Sequence, residues 1–441
     1  MADRENEAAQ ARTVVNLRAR GVEGRVTLSL KRDATTLSVN TVPSFTFDLK
    51  GRLIGGFNAG RTYRRTLDHR IVEKMGETRE GEHVRHRREL PPDEVASLVE
   101  TAYGLARRVA AARRAGAVDA LEASVPPAVW QPLAEAALAH ITAWDNAALQ
   151  ADAQAFLAVY EPIGILPPDQ YRALVLQATQ GCSYNKCTFC SFYRGRVFRI
   201  KTLPQFQAHI EAVKAFHGPA LPVYRSVFLG EANALIAPQR LLVPMLDAVN
   251  AAFELVPPDL AGEARARWRA AHPLALDGVY AFVSALDALR KTADDVADLK
   301  ARGLRRVYIG LESGDEELLR FLNKPNTAAQ AVEAVQTLKA GGVAVGVVVM
   351  LGVGGARYAE PHVRHTAAIV NAMRLDADDL LYFSEYVDQP GTEYNLRVTE
   401  AAIPALSATD LQVQRAAIQA SLVFPGPPPK VAVYDIREFA Y

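Results

Sequence analysis

Between residues 172 and 385 the chain alternates short aliphatic or β-branched runs with amphipathic stretches, and this limits its fold more than any other feature of its 441 residues. Strands are predicted at 172–179, 224–229, 278–284, 305–310, 343–350 and 379–385. Helices are predicted at 203–216, 237–252, 292–302, 315–321 with 327–340, and 358–373, with a late one at 408–421. Strand and helix in regular repetition require parallel strands, because only a crossover returns the chain to the same end of a sheet. The fold class expected is α/β, with six strand–helix units, two short of a closed eight-fold barrel. That is a partial (β/α)6 TIM-like barrel. An insertion at 253–277, with Pro257-Pro258 and the basic run Arg265 to His272, reads as a surface segment or lid.

The residues before this repeat follow another pattern. After a polar tail of about 15 residues come Arg25–Leu30, Thr35–Val39, Phe45–Leu49 and Arg52–Phe57, short runs split by turn residues, which predict a small antiparallel sheet. Residues 61–90 mix arginines with acids and read as a solvated face. Within them Arg64 and Arg65 are candidates to hold a substrate carboxylate or phosphate, since arginine offers paired donors. Helices are predicted from Asp93 to about Ala115, at 128–142 and at 144–158, with Trp130 and Trp144 as core anchors. The prolines and glycine of Tyr160–Pro168 mark a boundary. The organisation expected is an N-terminal α+β module at 1–160, the partial barrel at 161–386, and a C-terminal extension at 387–441 that closes the barrel mouth or packs on the N-terminal module. Its last strand, Val431–Ile436, is a candidate to pair with the N-terminal sheet.

Charge narrows the function. Fifty Lys and Arg against 49 Asp and Glu leave a net charge of +1, which argues against broad nucleic-acid binding. The opening MADRENEAAQ has no apolar core for a secretory signal, and no run reaches the 18 or so apolar residues of a spanning helix. A cytoplasmic location and no membrane partner are expected.

All three cysteines, Cys182, Cys187 and Cys190, fall within nine residues on the loop after the first strand of the repeat. A structural zinc site would want a fourth ligand, and the nearest histidines, His209 and His217, lie in a predicted helix. A [4Fe-4S] cluster with three thiolate ligands and one open iron suits the spacing better. A zinc-binding or cluster-binding protein without catalysis stays open on the cysteines alone.

The stretch Gly181-Cys182…Cys187-Thr188-Phe189-Cys190 resembles the cluster loop of the radical S-adenosylmethionine superfamily, with four residues in the first gap where three are usual. Two further segments carry the resemblance. Val227–Leu235, with Gly230, Glu231 and Asn233, is similar to the glycine and acid motif that meets the methionyl amine. Tyr308–Gly314 followed by Asn323-Lys-Pro is similar to the end of the fourth strand, where Glu312 and Ser313 would face S-adenosylmethionine. The resemblance implies that Cys182, Cys187 and Cys190 hold the cluster and that Phe189 packs the adenine. Either Glu231 or Asn233 would take the ammonium, and Arg199 or Lys291 would pair with the carboxylate. It also implies reductive cleavage to a 5′-deoxyadenosyl radical that removes a hydrogen atom from a small-molecule substrate, with flavodoxin or ferredoxin as electron donor. Tyr193, Thr392 and Tyr394 are weaker candidates to touch substrate. With no cysteine left over, a second thiolate-ligated cluster is not expected, and no segment resembles a cobalamin-binding module. Dehydrogenation, rearrangement, epimerisation or carbon-skeleton chemistry on a modest-sized molecule remains. The alternative is a peptide, carrier-bound or RNA substrate docked by the N-terminal module.

Overall fold

A computed structural model describes residues 12–79, 82–389 and 391–441. The MADRENEAAQ opening and Pro390 lie outside them. The described residues form two compact units, one of residues from 12 to 161 with 212–223 and 440–441, the other of residues 162–211 and 224–439.

The first unit holds a nine-stranded antiparallel sheet: β1 (Arg12–Ala19), β2 (Val26–Lys31), β3 (Thr35–Val39), β4 (Ser44–Phe47), β5 (Leu53–Asn58), β6 (Arg61–Arg65), β7 (Ile71–Arg79), β8 (Glu82–Glu89) and β9 (Val118–Ala123). Their order is β8-β7-β6-β5-β4-β3-β2-β1-β9. Alternate residues of the central strands, among them Val15, Leu17, Leu28, Leu37, Phe45 and Phe47, turn one face into a core. The helices α1 (Pro92–Arg114), α2 (Pro127–Thr142) and α3 (Asn146–Val159) close that core with Val99, Tyr103, Val109 and Trp130. The sheet is larger than expected. Strand β1 begins inside the stretch read as a polar tail, because Val15, Leu17 and Ala19 alternate inward against β2. Strands β6 to β8 carry too many charges to read as half-buried. They are held by ladder pairing and by cross-strand ion pairs such as Arg61 and Arg88 on the two oxygens of Glu73, at 3.1 and 2.9 Å.

The second unit is built on a sheet of seven strands, all parallel: β10 (Ala173–Gln177), β13 (Ser226–Gly230), β14 (Val279–Phe282), β15 (Leu304–Glu312), β16 (Ala344–Leu351), β17 (Leu380–Glu385) and β18 (Lys430–Val433), neighbours in that order. A two-stranded ribbon, β11 (Thr179–Gln180) with β12 (Arg199–Ile200), brackets the cysteine loop. The crossovers carry α4 (Leu203–His217), α5 (Gln239–Ala252), α6 (Gly262–Ala271), α7 (Ala285–Ala288), α8 (Ala293–Ala301), α9 (Glu316–Phe321), α10 (Ala328–Ala340), α11 (Gly355–Met373), α12 (Glu393–Glu400) and α13 (Ala408–Ala420). The strands are apolar on both faces, as parallel strands covered by helices must be; all of β10 and β13 is buried. Helices α8 and α10 each open on a capping box, Thr292 with Asp295 and Thr327 with Gln330.

One expectation is corrected. The last strand does not join the antiparallel sheet; it lies parallel to β17 as a seventh strand, with α12 and α13 in its crossover. A four-residue strand can pair with any open edge, and the helical crossover delivers it to this one. The turn from β16 into α11 runs through Gly352, Gly354 and Gly355, all at positive φ. At Gly355 a Cβ would come within 2.3 Å of the Pro404 carbonyl, so only glycine lets that segment lie so close.

Candidate functional site

Gln177, Gly230, Glu312, Leu351 and Glu385 are the last residues of β10, β13, β15, β16 and β17. The cysteine loop and the segments Glu231–Asn233 and Ser313–Asp315 therefore leave the sheet at the same, C-terminal, end.

Glu231, buried to 4% exposure, fixes the start of the cysteine loop. Its carboxylate accepts from the Gly181 backbone N–H at 2.6 Å and from Gln177 Nε2 at 2.7 Å, and its own N–H donates to Thr179 Oγ1 at 3.0 Å. Arg196 stands 3.7 Å away. Burial raises the Glu231 pKa, opposed by the Gly181 bond, Arg196 and Gln177. Asn233 donates from Nδ2 to Ser183 Oγ at 2.9 Å and to Asp287 Oδ2 at 2.6 Å, and its Oδ1 accepts from the Ser284 N–H. Both motif residues thus bind into the scaffold: Glu231 anchors the entry of the loop, Asn233 links Ser183 to the turn before α7.

The middle of the loop is held from three sides. Thr188 N–H donates to the Leu322 carbonyl at 3.0 Å, and Asn323 Nδ2 donates to the Lys186 carbonyl at 2.8 Å. Tyr394 N–H donates to the Thr188 carbonyl at 3.1 Å. Arg194 folds back with Nε on the Cys190 carbonyl at 3.0 Å. Phe189 packs against the cluster of Leu318, Leu322, Tyr358, Tyr394 and Ile403.

The cysteines are half-buried and in no disulfide. Burial raises the Cys187 thiol, with the Lys324 ammonium opposing, and pushes Cys190 up to about 11. Lys324 donates to the Gly310 carbonyl at 2.9 Å and pairs with Glu312 at 3.3 Å. Glu312 itself sits at φ 61°, which aims its side chain back along β15. Among the described residues no group of three or more His, Cys, Asp or Glu side chains stands gathered to hold a metal ion. By its chemistry the donor set, three unbridged thiols on one fastened loop, fits a thiolate-ligated iron–sulfur cluster.

Ser313 is fully buried. Its Oγ lies 2.8 Å from His362 Nδ1 and accepts from the Asp315 N–H at 3.0 Å. Thr366 Oγ1 lies 3.2 Å from the same ring nitrogen and accepts from the Gly314 N–H at 2.9 Å. Burial lowers the His362 pKa to about 4, so the imidazole is neutral. Lys291 donates to the Ala237 carbonyl at 3.0 Å, its pKa lowered by burial, while Arg199 is exposed on β12. Tyr193 is buried under the Arg196 guanidinium, 5.6 Å from its ring centre. Thr392 is buried at the start of α12, and Tyr394 OH accepts from the Gly354 N–H at 2.7 Å. Arg64 and Arg65 belong to β6 of the antiparallel unit. Arg65 is buried there, its Nε on His69 Nδ1 at 3.0 Å and Nη2 3.9 Å from Asp152. His209 Nε2 accepts from the Gln177 N–H at 3.0 Å. Sequence reasoning did not single out Lys324, Gln177, Asp287 or His362; the only signal for Lys324 is its place in the Asn323-Lys-Pro run.

The cavities of this unit include two of different size. The larger, about 1030 Å³, opens at the N-terminal ends of β14, β15 and β16 among Lys300, Arg305, Arg306 and Asp376, away from the cysteine loop. The smaller, about 390 Å³, lies at the C-terminal ends of β16 and β17 beside Tyr386 and Tyr394.

The parallel α/β sheet carries a three-cysteine loop after its first strand. Residues 176–367 match the family model described as the Radical SAM superfamily. Among solved structures it is similar to coproporphyrinogen III oxidase (HemN) from Escherichia coli, described as a radical SAM enzyme, at 14% identity over 61% of this chain and 56% of that one, TM-score 0.40. It is also similar to HydG, a maturase of the [FeFe]-hydrogenase, at 13% identity over 66% and 58%, TM-score 0.34. A third is the cobalamin-dependent S-adenosylmethionine radical enzyme OxsB, at 14% identity over 56% and 31%, TM-score 0.34. The chain thus spans about a third of the length of OxsB. No curated protein matches. Among the described residues no helix is long and apolar enough to cross a membrane.

Proposed function

We propose that the protein is a radical S-adenosylmethionine enzyme acting on a small molecule, with Cys182, Cys187 and Cys190 holding a [4Fe-4S] cluster. The observation that carries this reading is the superfamily match across a segment that contains all three cysteines. When bound, the cluster and S-adenosylmethionine would supply a 5′-deoxyadenosyl radical for hydrogen-atom abstraction. The chain's own share is positional. Glu231, Asn323 and Tyr394 fasten the loop before any ligand arrives, so less ordering is left for assembly. Cys187 and Cys190, raised by burial, must each lose a proton on ligation, so assembly releases protons. Glu312, Ser313, Asn233, Gly230, Phe189, Lys291 and Arg199 are proposed to meet the cofactor as the family resemblance implies. An external reductant, a flavodoxin or ferredoxin, would supply the electron.

The arginines of β6 to β8 give the alternative of a docked peptide or RNA little support, since Arg61, Arg70 and Arg88 are matched by Glu73, Asp68, Glu89 and Glu94. The test is anaerobic reconstitution with iron and sulfide, then reduction with S-adenosylmethionine. Wild-type protein is expected to form 5′-deoxyadenosine and Cys187→Ala to form none; wild-type protein loaded with iron that forms none sinks the proposal.

A further inference from the structure

The cavity of about 390 Å³ at the ends of β16 and β17 has a lining of unusual charge. Leu351, Val398, Ile403, Leu406 and Leu411 form an apolar wall; among the described residues Asp388 is the one charged group, and neither Lys, Arg nor His lines it. The Asp388 carboxylate is exposed, with no hydrogen bond or ion pair among the described residues. Two phenol rings, Tyr386 and Tyr394, stand beside it with centroids 4.6 Å apart and planes tilted by 54°. Several polar neighbours are engaged: Tyr386 OH donates to Asn395 Oδ1 at 3.2 Å, Asn395 Nδ2 to the Gln389 carbonyl at 3.1 Å, and Tyr394 OH accepts from the Gly354 N–H.

Aromatic faces beside an uncompensated carboxylate attract an organic cation, and apolar walls take its body. The same lining offers an anion no counter-charge, and a buried carboxylate or phosphate without one is costly. We infer that this cavity binds a small amine, its ammonium between Asp388 and the two tyrosine rings and its apolar body against the leucine and isoleucine wall. Burial chiefly raises both phenols, Tyr386 up to about 12, and the Asp388 charge adds to the rise at each. The volume lies at the low end of the size of small-molecule pockets and suits a small ligand.

The cavity adjoins the cysteine loop most directly at Tyr394. Tyr394 lines it, donates its N–H to the Thr188 carbonyl, and packs in the same cluster as Phe189. As the substrate pocket of the proposed radical reaction it rests on that reading; its preference for an ammonium does not.

The probe is a matched set of phenethylamine, phenethyl alcohol and 3-phenylpropionate, titrated calorimetrically into the full chain. Wild-type protein is expected to bind the amine about fivefold tighter than the alcohol, from the carboxylate and the aromatic faces together, and the acid most weakly. Asp388→Asn, at an exposed side chain whose loss leaves no partner stranded, is expected to bring amine and alcohol level. Equal binding of acid and amine by the wild type, or an amine preference untouched in Asp388→Asn, overturns the inference. Displacement of phenethylamine by S-adenosylmethionine would give the cavity to the cofactor and overturn its assignment to substrate. None of these titrations needs a cluster or a cleavage step, so a failure of the proposed reaction leaves their result readable.

Discussion

The neutral, buried His362 makes the segment after β15 sensitive to acid by a predictable amount. Its pKa falls from an ordinary 6.5 to about 4 in the fold, chiefly by burial. Between those two values the unfolded segment takes up a proton that the folded one refuses, so stability present above pH 6.5 is lost as the pH falls towards 4, and no more is lost below it. At about 1.4 kcal/mol for each unit, the full loss is about 3 kcal/mol, and about 2 kcal/mol is gone by pH 5. The local reporters are the Gly314 and Asp315 amides, which donate to Thr366 Oγ1 and Ser313 Oγ, the hydroxyls that flank the imidazole. Their hydrogen exchange, corrected for intrinsic rates, should show protection falling by about thirtyfold from pH 7 to pH 5 in wild-type protein. His362→Gln, which cannot titrate, should start less protected and show a flat profile over the same range. An equal pH dependence in the two proteins would refute the assignment of that sensitivity to this ring.

Glu231→Ala strands the Gly181 N–H and the Gln177 amide, at a cost of about 1–3 kcal/mol; trypsin is then expected to cut after Arg194, Arg196 and Arg199 about five- to thirtyfold faster. Lys339→Met removes the ion-pair partner of the fully buried Asp379 carboxylate. That change should destabilise the parallel unit by about 3 kcal/mol, read as an earlier denaturation midpoint in the fluorescence of Trp268, the sole tryptophan after residue 161. Cys187→Ala should abolish both iron–sulfur absorption and 5′-deoxyadenosine formation while leaving the urea midpoint followed at Trp268 nearly unchanged, since its half-buried thiol is bonded to nothing in a disulfide.

Particular elements show how far a sequence reaches. Strands β10, β13 and β16 are legible because a parallel strand covered on both faces must be apolar throughout, a property of the residues themselves. Strands β6 to β8 are not, because charged residues enter a strand when their partners lie on the neighbouring strand, as Arg88 finds Glu73. Strand β18 was legible as a strand but not by partner, since four residues hold no record of which edge receives them. Glu231 and Asn233 stand out as a motif, yet their hydrogen bonds to Gly181 and to Asp287 join residues about 50 positions apart.

The sequence by itself determined the alternation of strand and helix and the grouping of all three cysteines in one loop. These depend on neighbours within a few residues. Only the tertiary structure decided that Glu231 fastens the loop, that Lys324 stands by Glu312 and its charge reaches Cys187, and that Asp388, Tyr386 and Tyr394 line one cavity with no cation among its described lining residues. Charge balance and burial are set by which distant segments meet, and hydrophobic period does not encode that meeting.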